Sequence, residues 1–73
     1  MARVVDGWIW EPTDAVVLQQ AVLGTDFPNK ASYRMTAESL CNEGFIILTS
    51  FGGSVLRTRL TTKGRGTAKR VLG

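Results

Sequence analysis

Six cations and no acid follow position 44: Arg57, Arg59, Lys63, Arg65, Lys69 and Arg70. The first 43 residues carry Arg3, Lys30 and Arg34 against Asp6, Glu11, Asp14, Asp26, Glu38 and Glu43, so a balance of −3 faces +6 in the remainder, and the chain stands at +3. A one-sided set of guanidinium and ammonium groups suits polyanion chemistry, because each can displace a counterion from a phosphate. The bland counterpart is a solvated face that needs no ligand.

Covalent chemistry is harder to assemble. The chain has no histidine and one cysteine, Cys41. That removes the commonest general base near neutral pH and every Ser-His-Asp or Cys-His arrangement. It also leaves no zinc cluster and no internal disulfide, so an enzyme, a metal site and a cofactor are all unexpected. No cation or histidine in the local sequence activates Cys41, which reads as a small buried apolar residue. Trp8 and Trp10, two apart, share one face of a strand with Ile9 on the other. They either cap the core or offer an aromatic surface to a partner or a base.

These residues must be held by one small core. Seventy-three residues with 44% apolar content make a single ordered domain, 1–73, in a size range where a core is marginal and pairing into a homodimer would help. No apolar run approaches the roughly 20 residues that span a bilayer, and the N-terminus lacks a signal-peptide pattern, so a cytoplasmic protein with no membrane partner is expected.

Residues 3–10 combine β-formers with an Asp6-Gly7 turn, giving a short strand or small hairpin. Pro12-Thr13-Asp14 opens a helix with Thr13 as N-cap, Val17, Leu18, Ala21 and Val22 as its apolar stripe, and Gly24 as its end. Thr25 to Pro28 forms a connector. From Asn29 to about Asn42 the pattern is helical again, with Tyr33, Ala37, Leu40 and Cys41 inward; a break near Met35-Thr36 would divide it into 29–35 and 36–43. Phe45 to Ser50 is a strand, turned back by a two-residue Gly52-Gly53 loop. That turn pairs Phe51 with Ser54, Thr49 with Leu56, Ile47 with Thr58 and Phe45 with Leu60. Phe45, Ile47, Leu56 and Leu60 then face the helices, and Arg57 and Arg59 face outward. Thr61 caps a last helical segment in which Gly64 and Gly66 cost about 1 kcal/mol each, so fraying is expected.

The run Leu40-Cys41-Asn42-Glu43-Gly44-Phe45-Ile46, followed after the glycine hairpin by Arg59-Leu60-Thr61-Thr62-Lys63-Gly64-Arg65, resembles the second half of a winged helix-turn-helix domain of the MarR or PadR type. The resemblance covers roughly residues 29–66. It implies an α+β winged-helix domain of two or three helices with a C-terminal β-hairpin wing, binding double-stranded DNA through a recognition helix in the major groove. On this sequence the groove-facing positions would be Asn29, Lys30, Ser32, Arg34 and Met35, with Arg57 and Arg59 on the wing, Gly52 and Gly53 at its tip and Arg65 beyond it. Two features depart from the family: the further helix expected before the recognition helix has only Gly24 to Pro28 to occupy unless residues 29–43 form two helices, and the sequence lacks the long terminal helices that serve dimerisation and effector binding. Ligand response is therefore not implied.

The leading expectation is a small DNA-binding regulator or architectural factor. Arg57, Arg59, Lys63, Arg65, Lys69 and Arg70 would supply phosphate contacts, and residues 29–38 any sequence preference. The alternative is a basic protein-interaction module, of the kind found among small phage adaptors or inhibitors, anchored by Trp8, Trp10 and Phe51. RNA is a third partner class, marked by base stacking on a tryptophan.

Overall fold

A computed structural model describes residues 3–73, the side chain of Phe51 excepted. The Asp6-Gly7 pair takes positive φ at both positions, 52° and 78°, the geometry that a two-residue hairpin turn demands. It joins β1 (Arg3–Val5) to β2 (Trp8–Trp10) as an antiparallel ribbon with Val4 opposite Ile9. Alternation then sends Trp10 inward, 4% exposed, and leaves Ile9 outside. The Trp10 and Trp8 rings lie 5.2 and 6.3 Å from the Phe45 ring, and Trp10 Nε1 donates to the Val5 carbonyl at 3.1 Å. Both tryptophans thus serve the core.

Helix α1 (Pro12–Leu23) begins one step earlier than its Thr13 suggests. Glu11 is the N-cap, Pro12 occupies the first turn, where a missing N–H costs nothing, and the buried Asp14 carboxylate accepts from the Glu11 amide at 2.9 Å. Val17, Leu18 and Ala21 are buried, but Val22, expected in the same stripe, is 46% exposed. Gly24 closes the helix in the left-handed region, as its position predicts.

The connector after α1 is a strand. β3 (Asp26–Pro28) pairs antiparallel with β5 (Val55–Leu60), setting Asp26 opposite Arg57 and burying Phe27 against Leu56. Pro28 is tolerated because β3 is an edge strand. With β4 (Ile46–Phe51) on the far side, the sheet order is β3-β5-β4, three strands where only a hairpin was expected.

Between β3 and β4 lies one uninterrupted helix, α2 (Ala31–Asn42), so the division at Met35-Thr36 does not occur and Asn29 stands outside the helix. Ala37 and Leu40 are buried, with Tyr33 and Cys41 half-buried beside them. Gly44, at φ 85°, then turns the chain so that the Phe45 amide returns to the Leu40 carbonyl at 3.0 Å.

The β4–β5 register differs from the expected one by a single residue. Phe51 pairs with Val55 and Thr49 with Arg57, because the turn holds Ser54 as well as Gly52 and Gly53. Three residues in the turn shift every pair on β4 to the other face. Ile46 and Leu48 therefore point inward with Leu56 and Thr58, while Ile47, expected inside, is 53% exposed. Arg57 and Arg59 keep their outward direction, since the slip falls on β4 alone.

Helix α3 (Thr62–Leu72) runs through both glycines. Thr61 caps it, its hydroxyl accepting from the Gly64 amide at 3.0 Å, and the Arg3 guanidinium donates to the Arg70 and Val71 carbonyls at its other end. Gly64 allows the helix to approach the backbone of Phe45, so here the glycine is a packing requirement. Among the described residues no helix is long and apolar enough to cross a membrane.

Candidate nucleic-acid interface

Asn29 joins the two elements that the sequence assigned to DNA contact. Its amide donates to the Ser54 carbonyl at 3.1 Å and its side-chain Nδ2 to the Gly53 carbonyl at 2.8 Å. The start of α2 is thereby fastened to the tip of the β4–β5 hairpin. From one turn into the helix, Arg34 reaches back to the Asn29 Oδ1 at 3.4 Å. Lys30 is the N-cap residue and makes no side-chain cap bond, and the first turn contains no acid. Unpaired amides, a positive helix end and two cations thus meet at one corner of the molecule.

On the exposed face of α2, Ser32 and Met35 project outward, Met35 at 64% exposure. Glu38 follows one turn on and is exposed as well. The helix therefore carries its positive charge at the N-terminal end only.

The outer face of the sheet carries Arg57 and Arg59 on β5, opposite Thr49 and Ile47. Arg57 is not solely a surface cation. Its Nε and Nη2 donate to the two Asp26 carboxylate oxygens at 2.6 and 3.1 Å, a two-point pairing set by the β3–β5 register. Those hydrogen bonds, ahead of the charge itself, hold the Asp26 carboxyl below its ordinary value and raise Arg57 above its own.

The cations of α3 divide in two. Lys63 donates to the Glu43 carbonyl at 2.7 Å and lies 4.5 Å from the Phe45 ring centre, while Arg70 donates to Asp6 at 2.5 Å. The Asp6 oxygen also accepts from the buried Thr67 hydroxyl at 2.5 Å. Arg70 first, and Thr67 after it, lower the Asp6 carboxyl. Arg65 and Lys69, four residues apart, point away from that cluster toward α1 and make no side-chain hydrogen bond or ion pair among the described residues. Neither does Arg59.

The proposed contacts therefore form three sets. Asn29 is bonded to the hairpin tip, with Lys30, Ser32, Arg34 and Met35 following it along the start of α2; Arg57 and Arg59 lie on the outer sheet; Lys63, Arg65, Lys69 and Arg70 follow α3. Sequence reasoning missed Asp6 and Asp26, the acids that engage Arg70 and Arg57. Asp26 could have been found only by recognising β3, and Phe51, named as an interface anchor, has its side chain outside the described residues. No family model, curated protein or solved structure matches this chain.

Proposed function

We propose that the chain is a small domain of the winged-helix type that binds duplex DNA. The first turn of α2 and the glycine tip of the β4–β5 hairpin would form the contact. The observation that carries this reading is the Asn29 joint: one side chain holds the hairpin tip against the helix start, with Lys30 and Arg34 alongside. A phosphate at this corner would meet backbone N–H groups, the positive helix end and two long cations. Ser32 and Met35, on the exposed face, are the residues available to base edges. Arg59 would add a backbone contact from the outer sheet, and the α3 cations would contribute to the attractive field.

Mobility shift against random duplex, single strand and RNA at two salt concentrations tests the proposal. Duplex should bind best, and log K should fall with log salt by about 0.9 for each phosphate met. Replacing Lys30 and Arg34 together by Ala should lower that slope by about 2. No duplex binding at low salt, or a double variant with the parent slope, overturns it.

A protein-interaction module remains the second reading, now supported by different residues. Trp8 and Trp10 pack on Phe45, so they no longer serve as anchors. Instead the cross-strand pair Val4 and Ile9, 71% and 58% exposed, forms an apolar outer face on the N-terminal ribbon. Capture of a protein partner that is lost on changing Ile9 to Lys, with DNA binding absent, would favour this reading.

A further inference from the structure

A groove of about 380 Å3 runs between α1 and α3, at the end of β5. Its walls are Val22 from α1, Leu60 from β5, and Ala68 and Leu72 from α3; Arg65 and Lys69 stand on the α3 side. Val22 fits the apolar stripe of α1 yet is 46% exposed, because it borders this groove. Leu60 and Leu72 are only half-buried here. Open apolar surface of this kind, beside charge, is what ligand sites provide.

Two cations one helical turn apart repel when nothing lies between them. Arg65 and Lys69 have no acidic partner among the described residues. A carboxylate between them would relieve that repulsion and accept charge-assisted hydrogen bonds from both, while an attached hydrocarbon chain lay along Val22, Leu60 and Leu72. We infer that this groove binds an amphiphilic monoanion, a medium-chain alkyl carboxylate.

Two other occupants fit less well. A second copy docked by twofold symmetry would bring four cations and no acid into one interface. A partner helix needs anchors spread over two turns, whereas the α1 wall runs only from Gln19 to Val22, about 5 Å. The groove's volume lies near the lower end of the small-molecule range, roughly 300 to 1,000 Å3.

The test is independent of DNA binding. Sodium octanoate is titrated into the isotope-labelled protein, with 1-octanol as the uncharged control and sodium acetate as the headgroup control, and backbone amide shifts are followed. Octanoate should move Val22, Leu60, Ala68 and Leu72 saturably, and acetate should not. Replacing Arg65 and Lys69 by Ala should weaken octanoate about tenfold and leave octanol unchanged. The inference is overturned if octanol binds as tightly as octanoate, if the double variant binds like the parent, or if sedimentation shows a dimer that covers these residues.

Discussion

Replacing Gly64 by Ala should destabilise the domain, although helix propensity alone favours the change by about 1 kcal/mol. A Cβ on Gly64 would stand 1.9 Å from the Phe45 carbonyl oxygen, where real contacts of this kind stay beyond 3.0 Å, so one backbone must move by about 1.1 Å. The same carbonyl oxygen accepts from the Thr61 amide at 3.2 Å, and such a movement takes that bond beyond hydrogen-bond reach, while the Thr61 hydroxyl keeps its shorter bond to the Gly44 carbonyl at 2.5 Å. Losing that hydrogen bond costs about 1 kcal/mol and overpacking about 1–3 kcal/mol, against the gain of about 1 from propensity. The net is about 1–3 kcal/mol, a fall in midpoint of roughly 5–20 °C for a domain this small. Gly66→Ala is the internal control. Its Cβ would meet only the end of Arg70, at 3.6 Å, so propensity should win and the midpoint should rise by roughly 5 °C. Thermal unfolding followed by circular dichroism measures both. A Gly64→Ala protein that melts at or above the parent temperature refutes the close approach of α3 to Phe45.

Three further outcomes follow from single side chains. The Thr58 hydroxyl is fully buried and has no hydrogen-bond partner among the described residues, so Thr58→Val should raise the urea midpoint by an amount equivalent to about 1 kcal/mol. Asp6 and Asp26 have folded pKa values below the ordinary 3.8, so the stability each contributes is complete above that value and is lost as pH falls through the lower, folded values. Urea midpoints measured from neutral pH down to acid should show that loss, and Asp6→Asn with Asp26→Asn should flatten it; Asn suits position 6, where φ is positive. Asp26→Asn should also remove a carboxylate from the outer sheet face beside Arg57 and tighten duplex binding at low salt; unchanged affinity would place this face outside the interface.

The helices were legible because each carries its own punctuation. Gly24 and Gly44 end α1 and α2 in left-handed geometry, and the Thr61 hydroxyl caps α3. What the sequence concealed depended on pairing between distant segments. β3 is three residues long and includes a proline, too short for alternation to register, and it exists because Phe27 finds Leu56 across the sheet. The register slip has a similar origin. Gly-Gly suggests a two-residue turn, but the Asn29 amide takes the Ser54 carbonyl, and the turn widens to include Ser54. Gly64 looked like a weak point in α3 because the carbonyl it accommodates lies 19 residues earlier in the chain.

Charge shows the same limit with more consequence for function. In sequence the halves stand at −3 and +6, which suggests that the whole basic half faces an external polyanion. Folding returns two acids of the first half to the second: Asp26 meets Arg57 through the β3–β5 register, and Asp6 meets Arg70 where the N-terminal turn lies on α3. Both pairs are solvent-exposed, so they bind weakly and a phosphate could compete for either arginine. Competition, however, leaves an unpaired carboxylate beside the arriving anion. Of the cations without such an acid, Lys63 and Arg3 are held by backbone carbonyls, so the other five should contribute most to anion affinity: Lys30 and Arg34 on the first turns of α2, Arg59 on the sheet, and Arg65 and Lys69 at the α1–α3 groove. Changing these residues singly, at one salt concentration, ranks them directly. If Arg57 and Arg70 prove to matter more than all five, the two ion pairs open on binding and the folded arrangement of charge is not the one that the ligand meets.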